Sequence, residues 1–135
     1  ILRAGLGMVD GMLAMIPAAK VGHIGLYRDP DSLDPVEYYC KLPEDCANRE
    51  VFVVDPMLAT GSSMELAYKA LLTHGTPARV IVCSIVSTQY AVDYISTVMP
   101  DCDIYTAVLD PELNSHKYIV PGLGDCGDLA FGEKL

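Results

Sequence analysis

With 135 residues, 51% of them hydrophobic and 20% charged, the chain is one domain's worth (residues 1–135), able to bury a core and outside the disordered class. A net charge of −9 with scattered Lys and Arg excludes a duplex nucleic-acid partner, which needs a basic patch. No apolar run approaches the roughly 18 residues of a membrane span. The five cysteines form no CxxC pair and find only His23, His74 and His116 as company, which suits reduced thiols in a cytosolic (cytoplasmic) protein better than zinc.

Ile1-Leu2 runs straight into Arg3-Ala4-Gly5 like the second half of a strand, so a segment is expected to precede it. Apolar residues at Met8, Met12, Leu13 and Ile16 predict a helix over residues 7–16, stopped by Pro17. Residues 21–27 (VGHIGLY) read as a strand. "RDPDSLDP" predicts an exposed, mobile loop, and residues 36–42 a second strand. Residues 51–54 form a continuous apolar run of the kind found in a parallel sheet covered on both faces. A helix over residues 62–74 follows, with Leu66, Ala70 and Leu71 inward and Gly75 as its C-cap. Residues 80–86 predict a buried strand, 90–98 a helix and 104–108 a further strand. This alternation predicts right-handed βαβ units and a mostly parallel α/β sheet flanked by helices. The glycine-rich tail breaks the pattern.

Ligands of open α/β sheets bind beyond the carboxyl ends of the strands. Val53-Val54-Asp55 ends such a strand, so Asp55 points into the crevice, where a carboxylate suits ribose hydroxyls or a magnesium ion. Residues 59–63 then supply successive N–H groups and three hydroxyls at a helix N-terminus, a place for phosphate. The plainer alternative is that Thr60 or Ser62 caps the helix and Asp55 closes a turn. In "RAGLGM", Gly5 and Gly7 permit close backbone approach and Arg3 can bond oxygens bidentately, although an ordinary βα turn explains the motif equally well. Gly122, Gly124 and Gly127 match GxGxxG by letter, but no long helix and no ribose-binding acid follow. The glycines around Asp125 can still bring backbone groups to the edge of a flat ligand, or simply form a flexible loop. Tyr38-Tyr39 reads as sheet packing, Arg28 alone as a solvated strand end, and His116 as exposed.

Together "LRAGLGMVDG", "VGHIGLYRD", "VEYYCKLPED", "VVDPMLATGSS" and "YIVPGLGDCGD" resemble, in order, the uracil phosphoribosyltransferase family of type I phosphoribosyltransferases. The resemblance implies that fold with an incomplete hood. It also implies transfer of a phosphoribosyl group from phosphoribosyl diphosphate (PRPP) to uracil, giving UMP and diphosphate in pyrimidine salvage. By position it assigns Arg3 and Arg28 to the diphosphate. Asp55, Pro56, Met57, Leu58, Ala59, Thr60, Gly61, Ser62 and Ser63 are assigned to ribose and 5′-phosphate. Ile119, Gly124, Asp125 and Cys126 are assigned to uracil, with Asp125 also facing PRPP. Asp55, Asp125 and Arg28 are the catalytic candidates, and the loop from residue 29 to 35 a candidate lid. The implied cofactor is Mg2+, held mainly by the substrate diphosphate. Implied partners are a homo-oligomer, dimer or tetramer, and GTP as an activator. Three departures stand out: the segment before Ile1, Ser62 where glycine is usual, and Leu129 where arginine is usual. Without the first, the chain alone is expected to be inactive. A phosphoribosyltransferase for another base and a non-catalytic regulatory or assembly module are the competing readings.

Overall fold

The computed structural model describes residues 1–133. In chain order the elements are α1 (Leu6–Met15), β1 (His23–Arg28), β2 (Pro35–Lys41), β3 (Glu50–Val54), β4 (Met57–Leu58), α2 (Ser62–Leu72), β5 (Arg79–Thr88), α3 (Gln89–Val98), β6 (Cys102–Asp110), β7 (Glu112–Leu113), β8 (Ile119–Val120) and α4 (Cys126–Phe131).

The central strand is β5, whose β-branched run Val80–Val82 is buried. It pairs in parallel with β6 along one edge. Its other edge takes β3 against residues 79–83 and β4 against residues 86–87, also in parallel. The chain therefore leaves the sheet at Asp55-Pro56 and rejoins it at Met57. Where it leaves, Pro56 O accepts from both Ile85 N (3.0 Å) and Val86 N (2.9 Å). The predicted parallel α/β sheet is thus present, with β4 added from inside the stretch read as a loop.

The helices α2 and α3 pack on the sheet through Met64, Leu71, Ala91 and Ile95, which meet Leu58, Val80 and Val82 in one apolar cluster. Burying a side chain of this size contributes about 1.5–3 kcal/mol. Met64, Ala67 and Leu71 form the buried stripe of α2, while Leu66 and Ala70 turn to a second cluster around Ile24 and Leu26. The C-cap of α2 is Thr73; Gly75 lies two residues on, at φ +118°.

Two sequence expectations fail here. The apolar strand β3 is not covered on both faces: Phe52 is exposed and its neighbours half-buried. Together with Leu6, Val9, Met12 and Leu13 of α1 and Ile16 at its C-cap, β3 lines an apolar cleft of about 480 Å³. The second fails only in part: residues 29–34 are largely exposed, as expected, but bonded to themselves. Asp29 Oδ1 accepts from Asp31 N and Ser32 N, Asp29 N donates to Asp34 O, and Leu33 N donates to Asp29 O. They form the closed turn of the antiparallel β1–β2 hairpin. Tyr38 packs across this hairpin on Gly25, with its ring centroid 6.3 Å from that of Tyr27.

Among the described residues no helix is long and apolar enough to cross a membrane.

Candidate functional site

Asp55 stands where β3 gives way to the short gap before β4, its N–H donating to Cys83 O at 3.2 Å. Its Oδ1 accepts, at 3.4 Å, from Met57 N. Burial pushes its carboxyl up to about 6; the Met57 N–H and Arg28 are among the groups that oppose this, and Asp125 adds to it. The influence of Arg28 and Asp125 places three predicted site residues in one electrostatic neighbourhood. Cys126 belongs to it as well, because burial and then the charges of Asp55 and Asp125 raise its thiol.

A small cleft of about 20 Å³ lies beside Asp55, lined by Arg28, Met57, Leu58, Ala59, Thr60, Gly61 and Ser63. Of the predicted ribose and phosphate residues, Pro56 is buried beneath this surface and Ser62 lies off the cleft, its Oγ 2.9 Å from Thr60 Oγ1. The N-cap of α2 is Gly61, which has no side chain to cap with, and Thr60 Oγ1 accepts from Ser62 N at 3.4 Å, so the capping role expected of Thr60 is met in part. The first-turn N–H groups of an eleven-residue helix open beside the Thr60 and Ser62 hydroxyls, which bond to each other, an arrangement that favours an anion. Gly61 is required there on two counts. Its φ is +85°, and a Cβ would lie 2.9 Å from the Tyr94 ring and 3.2 Å from Ile95.

The loop is held from behind by residues that carry no motif in the sequence. Ser84 Oγ donates to Pro56 O at 3.2 Å, and Thr88 Oγ1 donates to Ala59 O at 2.7 Å. Tyr94 also donates to Glu65 in the first turn of α2.

On the opposite side, β7 and β8 form a two-stranded antiparallel hairpin, and Ile119 is buried in it. Gly122 turns the chain at φ +51°, where a Cβ would lie 2.2 Å from Ile119 O; its N–H donates to Asp110 Oδ2 at 2.8 Å. Gly124 follows at φ +83° with open space where its side chain would be. Asp125 is the N-cap of α4, its Oδ1 accepting from Asp128 N at 3.0 Å. One of its oxygens is therefore committed to the helix.

Arg3 and Gly7 differ from expectation. Arg3 is not displayed free: one guanidinium nitrogen donates to Asp128 Oδ1 at 2.5 Å, the other to Gly132 O at 3.0 Å, while Nε is buried without a partner. Its reach is spent on joining the first turn to α4. Asp128 is thus a site-adjacent residue missed in the sequence; the doubled aspartate in "GDCGD" is the only signal for it. Gly7 lies inside α1, and a Cβ there would meet nothing within 4 Å; Gly5 is needed for the close approach of the first turn to β3, not to a ligand, since its Cβ would meet Val54 O at 2.7 Å. Arg28 donates to Leu33 O at 3.0 Å, pinning the hairpin turn beside the Asp55 cleft. Among the described residues no group of three or more His, Cys, Asp or Glu is placed to hold a metal ion.

Comparison with known proteins bears directly on this arrangement. The family model described as uracil phosphoribosyltransferase matches residues 1–133. Curated uracil phosphoribosyltransferases of Agathobacter rectalis and Alkaliphilus metalliredigens are 60% and 59% identical over 134 residues, 99% of this chain. The chain spans 64% of the length of each. The solved structure of the AQ2163 protein from Aquifex aeolicus superposes with a TM-score of 0.91 at 37% identity, covering 97% of this chain and 62% of that one. A purine phosphoribosyltransferase from Pyrococcus horikoshii, at 17% identity and a TM-score of 0.54 over 84% of this chain and 77% of that one, shares the fold. The phosphoribosyltransferase fold, the two loops of the site and the match across residues 1–133 lead to one conclusion: the chain belongs to the uracil phosphoribosyltransferase family.

Proposed function

We propose that a protein carrying this chain transfers the phosphoribosyl group of PRPP to uracil, releasing UMP and diphosphate. The observation that carries the reading is the pairing of two features. One is a carboxylate, Asp55, raised by burial and standing before the start of α2; the other is the loop of residues 119–127, whose Asp125 and Cys126 share its electrostatic neighbourhood. Membership of the family supplies the substrates.

In this reading Asp55 accepts hydrogen bonds from the ribose hydroxyls. The N–H groups and hydroxyls of residues 59–63 hold the 5′-phosphate. Arg28, and Arg3 through its link to α4, stabilise charge on the departing diphosphate. Backbone groups of Ile119, Gly124 and Cys126 read uracil, and Asp125 faces PRPP with the oxygen its cap leaves free. Orienting uracil N1 over the anomeric carbon supplies much of the remaining acceleration. The residues fit magnesium only as a substrate-borne ion, since Asp55 and Asp125 lie close while no three-ligand cluster exists among the described residues. Bound with the diphosphate, magnesium supplies charge neutralisation to the leaving group. The residue 29–34 turn is the candidate lid, and homo-oligomerisation and activation by GTP belong to the same reading, supported by family membership.

The test is conversion of uracil and PRPP to UMP by a chain of the relatives' full length that carries these residues, with cytosine and adenine as competitors. Rejection of cytosine by several orders of magnitude is expected, because its C4 amino group meets a donor where uracil offers an acceptor. Binding of PRPP without turnover of any base would favour the non-catalytic module instead.

A further inference from the structure

We infer that Thr88 and Asp110 are positioning residues that set the spacing between the two halves of this site, an inference that rests on the proposed reaction. They are register partners, the last pair of the parallel β5–β6 ladder. Neighbours in register on parallel strands project to the same face of a sheet, from strands roughly 4.8 Å apart. From this shared position the two side chains diverge.

Thr88 is 1% exposed, and its hydroxyl is fully used. It donates to Ala59 O, 29 residues back in the phosphoribosyl loop, at 2.7 Å. It also accepts from Ala91 N at 3.0 Å as the N-cap of α3. Asp110 reaches 12 residues forward into the base loop, where its Oδ2 accepts from Gly122 N at 2.8 Å. Each loop is thus hung from one of two neighbouring residues at the end of the β5–β6 ladder. Reaction requires the attacking nitrogen and the anomeric carbon to be held at roughly 3–3.5 Å. A two-residue spacer at the end of β5 and β6 provides such a fixed separation without touching substrate.

The experiment uses a chain of the relatives' full length. Thr88→Val removes both the bond to Ala59 O and the cap of α3; it should raise the KM for PRPP about tenfold through the first, lower the melting temperature through the second, and leave the KM for uracil within about twofold. Thr88→Ser should restore it. Asp110→Ala should raise the KM for uracil to a similar extent, while Asp110→Asn, which keeps an acceptor oxygen, should stay near the parent. Groups that act as a unit are non-additive, so kcat of Thr88→Val with Asp110→Ala should fall to about that of the worse single variant. Hydrogen exchange gives a readout free of catalysis. Of the two loops, it should quicken over residues 57–63 alone in Thr88→Val and over 119–127 alone in Asp110→Ala. Losses of kcat that multiply, or exchange that rises in both loops or in neither, would overturn the spacer. Failure of the parent to make UMP would instead overturn the proposed reaction, leaving exchange to judge the spacer.

Discussion

The two loops of the candidate site are anchored differently, the first mainly by backbone bonds with the Ser84 and Thr88 hydroxyls added, the second mainly by side chains. The phosphoribosyl loop is an interruption in a strand pair, fastened to β5 by backbone bonds on both sides of the gap: Asp55 N to Cys83 O, and Ile85 N and Val86 N to Pro56 O. The base loop has only a two-residue strand pair behind it. Beyond that pair it relies on side chains: Asp110 on Gly122, Asp125 on Asp128 and Arg3 on Asp128. In the proposed reaction, backbone anchoring suits the first loop to be a pre-formed anion and ribose cradle. Side-chain anchoring lets the second be retuned by substitution, which suits the part that distinguishes one base from another.

The contrast is tested most severely at Asp55. If the first loop is a rigid cradle, Asp55→Asn should lower turnover about 100-fold or more, the usual cost of removing one preorganised electrostatic contact, without unfolding it. The pH dependence of stability sharpens this. The folded carboxyl titrates near 6, raised by burial, whereas an unfolded aspartate titrates near about 3.9. Between those values the native state binds the proton more tightly, so stability contributed by this group declines as pH rises from about 4 to about 6 and is absent above. Asp55→Asn should flatten that decline and melt no lower than the parent at pH 7. A melting point many degrees lower would make Asp55 structural and the cradle reading wrong.

Gly61→Ala should come next. A methyl group at φ +85°, pressed 2.9 Å from the Tyr94 ring, should cost about 1–3 kcal/mol of stability. It should also raise the KM for PRPP while sparing that for uracil. A lower melting temperature with unchanged PRPP affinity would show that the start of α2 is not the phosphate site.

Much of the molecule is legible in the sequence, and the misses share a cause. Continuous β-branched runs and helical spacings identify β3, β5, α2 and α3 because their periods reflect local burial. The apolar pattern carries β5 only to residue 86, short of Ser87 and Thr88, which are 0% and 1% exposed. Polar residues read as surface, and only the tertiary structure reveals that Ser87 Oγ bonds Thr106 Oγ1 and Thr88 Oγ1 bonds Ala59 O. In the same way Asp110 and Asp128 bond groups 12 and 125 residues away, separations that leave no local pattern. The motif residues are visible; those that hold the motifs in place are not. The Arg3 outcome follows from the same limit, since a guanidinium assigned to diphosphate by position is also committed to α4.

That commitment ties Arg3, on the first turn, to the α4 end of the base loop. Arg3→Ala should weaken PRPP by roughly tenfold, about the 1.5–3 kcal/mol of a charge-assisted bond, and should weaken uracil less. Asp128→Ala should reproduce part of the PRPP defect by freeing Arg3, with faster exchange over residues 126–131. Equal losses for both substrates in Arg3→Ala would mean that it acts only as a strut for α4.

The smallest effect is expected where the base loop contributes backbone alone. Cys126 is the first residue of α4, half-buried, with Asp125 capping the helix before it. Burial, then Asp55 and Asp125, hold its thiol above the ordinary cysteine range, so it is neutral at pH 7 and a poor nucleophile. What remains for recognition is its main chain. Alanine keeps that N–H and favours the same helical start, so Cys126→Ala should change the uracil KM by less than about twofold. Asp125→Ala, by contrast, removes both the cap and the carboxylate facing PRPP, and should lose most activity. Cys126 should also resist thiol-directed alkylation at pH 7. Comparing uracil turnover for both variants at one pH decides between the two roles. A large loss in Cys126→Ala with a mild one in Asp125→Ala would reverse the assignment of side chain and backbone in the base loop.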